Sequence, residues 1–336
     1  MTFENLEKNL NAGKLDSLYL IYGEEEYLVD KLMKKIRKNF GELLPGMNYI
    51  QIDETSTKDI ISNIESPAFG YEKKLIIVKN SGLFKKDGRK KQEDPLQEEI
   101  ANYIKENKEI IDEMVILVFC EKEINKNIVY KAIENVGLVC ECEVLKPHQI
   151  INNLKQICKM YKVDLEDSVA QYFLEIAGTS MQDLINEIRK LIEYTGENGS
   201  ITKDAINNLT TKQVESIIFD LTDNLGLKKT DKAIEILDNL IYNKEPVAKI
   251  LVTLYNHFKK IYYCIIGMQN NKELVSTLGL KPNQTFLVTK YKKQASYFKI
   301  EDLKKILKDL TELDYGYKIG KIDLEVGLKS ILCTYC

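Results

Sequence analysis

The chain of 336 residues contains no tryptophan and only two histidines, His148 and His257. Catalysis by histidine, or a histidine-rich metal site, has little material to work with, and both residues read as surface or helix-face positions. No apolar run approaches the length needed to cross a bilayer; residues 114–120 are typical of the longest. The amino end, MTFENLE, is acidic and polar and does not read as a signal peptide. An excess of one charge is also missing. Lysine and arginine number 48 against 51 for aspartate and glutamate, a formal net charge of -3. A surface coated in positive charge is thereby excluded, while a local basic patch is not. Of seven cysteines, Cys120, Cys158, Cys264 and Cys333 lie in apolar patterns, where the thiol behaves as a small hydrophobe. Cys140 with Cys142, and Cys333 with Cys336, are lone pairs without a second pair at zinc-finger spacing, so no structural metal is expected. An odd count without a signal peptide reads as a reduced, cytoplasmic protein.

What is present is an ordinary globular composition, 44% hydrophobic and 29% charged, long enough for two or three domains. Residues 17–22 form an apolar run that ends at Gly23, followed by a helix with Leu28, Leu32 and Ile36 at four-residue spacing. Further strands are expected at residues 48–52, 75–78, 115–119 and 138–144. Between them, Ser56 or Thr57 caps a helix carrying Ile60, Ile61 and Ile64. Asp94-Pro95 opens one with Leu96, Ile100 and Ile104. Asn125 caps another with Ile128, Ala132 and Val136, stopped by Gly137. The run at 115–119 is apolar throughout, as in strands covered on both faces. Residues 1–145 therefore read as an α/β domain with a mainly parallel sheet.

After Lys146-Pro147 the strand signals stop. A first helix carries Ile151, Leu154, Ile157 and Tyr161, and a second covers residues 166–177. A third, capped by Thr179 or Ser180, presents Leu184, Ile188 and Leu191. A short fourth completes a small helical domain over residues 146–211. Residues 212–336 read as a helical bundle. It includes a long helix opened by Glu245-Pro246, with Ile250, Leu254, Phe258 and Ile261 on its buried side.

One stretch stands apart. In SPAFGYEKKLIIV, residues 66–78, a helix ends near Glu65 and Pro67 and Gly70 bracket Ala68 and Phe69 before a strand begins. Pro67 fixes its own φ and moves its predecessor out of the helical region, while Gly70 permits a sharp turn. A bulky aromatic at this corner either packs beneath the turn as core or is presented to a partner. The rest of the chain favours the second reading.

An α/β domain followed by a small helical domain is the layout of the AAA+ ATPases, whose first strand leads into a phosphate loop of the form G-x-x-x-x-G-K-[ST]. Here the strand runs into Gly23-Glu24-Glu25-Glu26, with no second glycine and no lysine. Three carboxylates repel phosphates but suit the start of the next helix. The third strand should end in acids that hold magnesium; it ends in Lys79-Asn80. The ATPase layout is present and both halves of its chemistry are missing.

The chain resembles the delta subunits of the bacterial DNA polymerase III clamp loader. The matching stretches are LYLIYGEEEYL at residues 18–28, SPAFGYEKKLIIV at 66–78, DLINEIRKL at 183–191, IIFDL at 217–221 and DYGYKIG at 314–320. They are spread over the whole chain in the expected order. The missing zinc cluster also fits, since the sibling ATP-binding and delta-prime subunits usually carry one.

The resemblance implies an AAA+ domain without a functional phosphate loop over residues 1–145, a helical lid over 146–211 and a helical collar over 212–336. It further implies a subunit of a DNA-directed DNA polymerase holoenzyme that grips the sliding clamp and opens its ring. Such a subunit has no catalytic activity, cofactor or metal of its own. The clamp-binding wedge falls on Pro67, Ala68 and Phe69, with a smaller residue at Ala68 than many relatives carry. Candidates for DNA contact are Tyr315 and the basic loop residues Lys85, Lys86, Arg89, Lys90 and Lys91. Lys290, Lys292 and Lys293, interleaved with Tyr291, Tyr297 and Phe298, have the mixed character of single-strand binders, although some of these aromatics must be core. Partners would be the sliding clamp, the ATP-binding subunits and delta-prime through the collar, and primer–template DNA. A membrane is not expected, and the isolated chain would be a monomer. Two rivals are an active AAA+ ATPase and a collar-type DNA-binding or assembly protein that never meets the clamp.

Overall fold

The computed structural model describes residues 1–85 and 94–335, which divide into two compact units, Met1–Val144 and Leu145–Cys336. The first unit runs α1 (Phe3–Asn11), β1 (Leu18–Tyr22), α2 (Glu26–Phe40) and β2 (Tyr49–Ile52). A 3-10 turn at Thr57–Asp59 leads into α3 (Ile60–Glu65), then β3 (Lys74–Lys79), α4 (Pro95–Glu106) and α5 (Lys108–Met114). The unit closes with β4 (Val115–Glu121), α6 (Ile128–Val136) and β5 (Leu138–Glu141). The strands form one parallel sheet in the order β2-β3-β4-β1-β5.

β1 and β4 are buried at every position, and β3 at all but its last. Apart from Lys74 and Glu121 at the strand ends, these buried positions are apolar on both faces, which is why the strands stand out in the sequence as continuous runs. Strand alternation puts Leu18, Leu20, Ile76, Val78, Leu117 and Phe119 on one face, packed with Ile60 and Ile64 of α3, Ile100 of α4 and Ile133 of α6. The register aligns the carboxyl ends of three neighbouring strands, with Tyr22 opposite both Glu121 and Glu141.

The second unit is helical: α7 (Pro147–Met160), α8 (Asp167–Ala177), α9 (Met181–Thr195), α10 (Lys203–Leu209), α11 (Val214–Gly226) and α12 (Thr230–Tyr242). These are followed by α13 (Val247–Gln269), α14 (Leu274–Thr277), α15 (Leu287–Ala295), α16 (Ile300–Lys318) and α17 (Leu324–Thr334). α11 to α17 share one core around Leu254, Phe258, Ile261, Leu303, Leu310 and Leu328. α8 meets the start of α11 and α15 inside this unit, where the Gln213 N–H donates to the Ile176 carbonyl at 3.0 Å and Lys290 of α15 pairs with Glu175 at 2.8 Å. Among the described residues no helix is long and apolar enough to cross a membrane.

Several sequence expectations are corrected. The buried stripe of α7 is Ile150, Leu154 and Cys158; Ile151 and Ile157 are only partly buried, and Tyr161 follows the helix end with 51% exposure. Cys158 takes the inward position and rotates the stripe by one residue. Cys333 is exposed because Leu332 continues the Leu324–Leu328 spacing into the core. The cap of α6 is Asn127, whose Oδ1 accepts from the Tyr130 N–H at 3.1 Å; the Asn125 N–H is taken by the Phe84 carbonyl at 2.8 Å. Thr57 caps nothing: it is buried, and its hydroxyl donates to the Ser81 carbonyl at 2.9 Å. Of the two histidines read as surface or helix-face residues, His257 is fully enclosed in the core of the second unit.

Candidate functional site

At the carboxyl edge of the sheet the chain has no room for a phosphate loop. Only Gly23, Glu24 and Glu25 separate β1 from α2. The Gly23 N–H donates to the Glu121 carbonyl at 3.1 Å, the Glu25 N–H to the Cys142 carbonyl at 3.3 Å, and the Cys142 N–H to the Tyr22 carbonyl at 2.6 Å. A phosphate loop needs its amides free to face the ligand; two here are committed to protein carbonyls. Gly23 has φ +138°, and a Cβ on it would stand 2.2 Å from the Cys142 carbonyl oxygen, so glycine is required by close backbone approach. Glu26 pairs with Lys122 at 2.6 Å, which lowers its carboxyl pKa.

Glu121, at the end of β4, was not anticipated as a notable residue. It is buried, and burial raises its pKa against the pull of its hydrogen bonds from the Ser81 N–H at 2.8 Å and hydroxyl at 2.6 Å. Its work is to hold the loop after β3, where magnesium-binding acids stand in the ATPases and Lys79-Asn80 stands here.

The Phe69 corner lies at the opposite end of β3. α3 stops at Glu65, Ser66 turns to extended backbone, and Pro67 cannot continue the helix. The Ala68 carbonyl accepts from the Tyr71 N–H at 3.0 Å, closing a turn with Phe69 and Gly70 in the middle. Gly70 has φ +79°, the positive angle a type II turn requires at its third residue. Phe69, at the second, is 69% exposed. The reading of Phe69 as core beneath the turn is therefore excluded.

The stem of that turn is held by a residue that sequence reading passed over. Lys74, first in β3, is only 1% exposed. Its ammonium donates to the Asn63 carbonyl, the Ser66 carbonyl and the Ser66 hydroxyl, the last at 2.8 Å. Burial pushes its pKa down. An interior lysine at the start of an apolar strand gives no local signal, because the same residue is usual at exposed strand ends.

Of the other candidates, Lys85 is exposed and paired with Glu54. It follows β3, whereas Phe69 precedes it, so six strand residues, roughly 20 Å, separate the two loops. Lys86, Arg89, Lys90 and Lys91 lie outside the described residues. Tyr315, on α16 of the second unit, is 66% exposed, with Lys304, Lys308 and Lys318 exposed on the same helical face. Lys318 is paired with Asp314 at 2.6 Å. Among the aromatics of the lysine-rich stretch, Tyr291 is core, 3% exposed and 4.9 Å from the ring of Phe219. Phe298 packs edge-on against Phe258.

These features define an α/β unit built on a five-stranded parallel sheet, whose first loop lacks the phosphate-loop sequence, followed in the chain by a helical unit. Residues 19–143 match the family model for the DNA polymerase III delta subunit, and residues 215–335 match the model for the C-terminal domain of that subunit. The chain belongs to the DNA polymerase III delta subunit family. It is 24% identical to the DNA polymerase III subunit delta of Bacillus subtilis over 332 residues, covering 97% of this chain and 94% of that one. A probable DNA polymerase III subunit delta of Aquifex aeolicus is 26% identical over 331 residues, covering 95% and 91%. Among solved structures, the Bacillus subtilis DNA clamp loader delta protein superposes with a TM-score of 0.70 at 22% identity, covering 99% of both chains. This likeness extends the fold match across both units.

Proposed function

We propose that the chain acts as the delta-type subunit of a clamp loader, gripping the sliding clamp so that its ring can be opened and placed on primed DNA. The observation that carries the proposal is Phe69, 69% exposed at the corner of a turn whose stem is tied by hydrogen bonds from the buried Lys74. In a member of this family, Pro67, Ala68 and Phe69 then form the wedge that enters an apolar pocket of the clamp. Burying the ring contributes roughly 1.5–3 kcal/mol. Ring opening follows to the extent that the bound chain fits the distorted clamp better than the closed one.

The first unit serves as a scaffold without nucleotide chemistry, in keeping with the committed amides around Gly23. Within the second unit, residues 146–211 act as lid and residues 212–336 as the collar that joins the ATP-binding subunits and delta-prime. Tyr315 and the lysines on its helical face lie on the side turned to primer–template DNA.

The test is affinity for the purified sliding clamp by surface plasmon resonance. Phe69→Ala is expected to weaken binding by about tenfold to a hundredfold, as for a central aromatic anchor, with an unchanged melting temperature. Unchanged affinity in a folded variant would remove Phe69 from the interface.

A further inference from the structure

We infer that Lys74 is the positioning residue for the Phe69 corner, its buried ammonium fixing the end of α3 and Ser66, the residue that leads into Pro67 and the turn, so that the aromatic is held outward before any partner arrives. This rests on the proposed clamp contact at Phe69 and adds to it the device that orients the contact.

The placement of Lys74 is unusual for a lysine. Strand alternation sets it on the same sheet face as Ile76 and Val78, which pack with Ile60, Ile64 and Ile111. An apolar side chain would serve that position for stability alone. A buried ammonium is tolerated only when its donors are satisfied. All three N–H groups have acceptors here: the Asn63 carbonyl, the Ser66 carbonyl and the Ser66 hydroxyl. The hydroxyl in turn donates to the Asn63 carbonyl at 3.2 Å, so lysine and serine close a small network over the helix end.

The carbonyl end of a helix attracts a cation. Helices commonly finish with a glycine in left-handed conformation. α3 finishes instead at Ser66 in extended conformation, φ -69° and ψ 140°, with Lys74 as the partner of its free carbonyls. From there Pro67 limits rotation on one side and the Ala68–Tyr71 hydrogen bond closes the other. Phe69 is three residues from the ammonium's anchor at Ser66. Less ordering then remains to be done on binding, which raises affinity without adding a contact.

The experiment uses the full chain, with the purified sliding clamp as probe. Lys74→Met keeps length and volume but removes the donors. It is expected to weaken clamp binding by about three- to tenfold while circular dichroism and the melting temperature hold. If Lys74 acts only through the corner, Phe69→Ala/Lys74→Met binds no more weakly than Phe69→Ala alone.

A readout independent of the clamp comes from the missing tryptophan: Phe69→Trp gives a single reporter. Its fluorescence anisotropy without clamp should fall when Lys74→Met is added. Should Lys74→Met fail to fold, Ser66→Ala, which keeps the ammonium and deletes one acceptor, takes its place in both measurements with a loss of about twofold. Unchanged anisotropy of the Phe69→Trp reporter, or losses that multiply in the double variant, overturns the assignment. If Phe69→Ala alone leaves affinity intact, the clamp reading fails, and the anisotropy still decides whether Lys74 orders the turn.

Discussion

The enclosed His257 makes the second unit sensitive to acid in a calculable way. Its Nε2 donates to Gln294 Oε1 at 2.7 Å; the Gln294 amide nitrogen donates to the Phe219 carbonyl at 3.0 Å and to Asp223 Oδ1 at 2.6 Å. These donations fix which end of the amide faces the ring, and so the tautomer. The imidazole stands edge-on to Phe219 at 4.4 Å and tilted to Tyr291 at 5.2 Å. Burial lowers its pKa from 6.5 to about 4. Above pH 6.5 both folded and unfolded states hold the ring neutral, and the shift contributes nothing to the pH dependence. Between 6.5 and 4 the unfolded chain takes up a proton that the folded one refuses, so stability falls with pH and the loss is complete below 4. The shift corresponds to about 3 kcal/mol at its limit.

The assay is urea unfolding at pH 7.0, 5.5 and 4.5. The background is Phe298→Trp, a lone reporter packed against the same core, because two units need not unfold together. His257→Phe leaves the Gln294 oxygen without its donor and should cost about 1–3 kcal/mol at pH 7. It should also flatten the decline between pH 7.0 and 4.5 relative to the parent. Equal declines in the two proteins would show that His257 does not carry the acid sensitivity.

The isolated chain is expected not to bind ATP with magnesium in calorimetry, since the Gly23 and Glu25 amides already have carbonyl partners; micromolar binding would refute this. Gly23→Ala should destabilise the first unit by at least about 3 kcal/mol in denaturant titration, because the added Cβ meets backbone rather than a yielding side chain. A chain cut after Thr211 should retain clamp affinity while losing assembly with its sibling subunits in gel filtration; assembly at full affinity would misplace the collar.

The parts of the fold that could be read from sequence are those where one physical demand dominates. β1, β3 and β4 are covered on both faces, so their apolar runs had no competing explanation. α2 has one buried stripe, Leu28, Leu32 and Ile36, and showed it plainly. Elements set by neighbours were harder to see. α5 has seven residues with Asn107 between it and α4, too short for periodicity to register. Asn125 and Asn127 are equivalent caps in sequence, and the Phe84 carbonyl, 41 positions from the first, decides between them. His257 is seven residues from Ile250 and thus on the buried stripe of α13; its polarity concealed that, and its partner Gln294 lies on α15.

The Phe69 corner shows the same division within a few residues. Pro67 and Gly70 announce a turn, and local chemistry stops there: a turn of that sequence can fold its aromatic beneath itself or away from the protein. What separates the outcomes is where the stem is tied. The tie is made by Lys74, eight residues beyond Ser66, reaching back from the strand to the end of α3. A surface aromatic alone would be unremarkable. An aromatic held outward by a buried cation, in a place where leucine would pack as well, is a side chain whose exposure the structure maintains. For that reason the corner, rather than the more conspicuous lysine-rich stretches, is where the clamp contact is proposed.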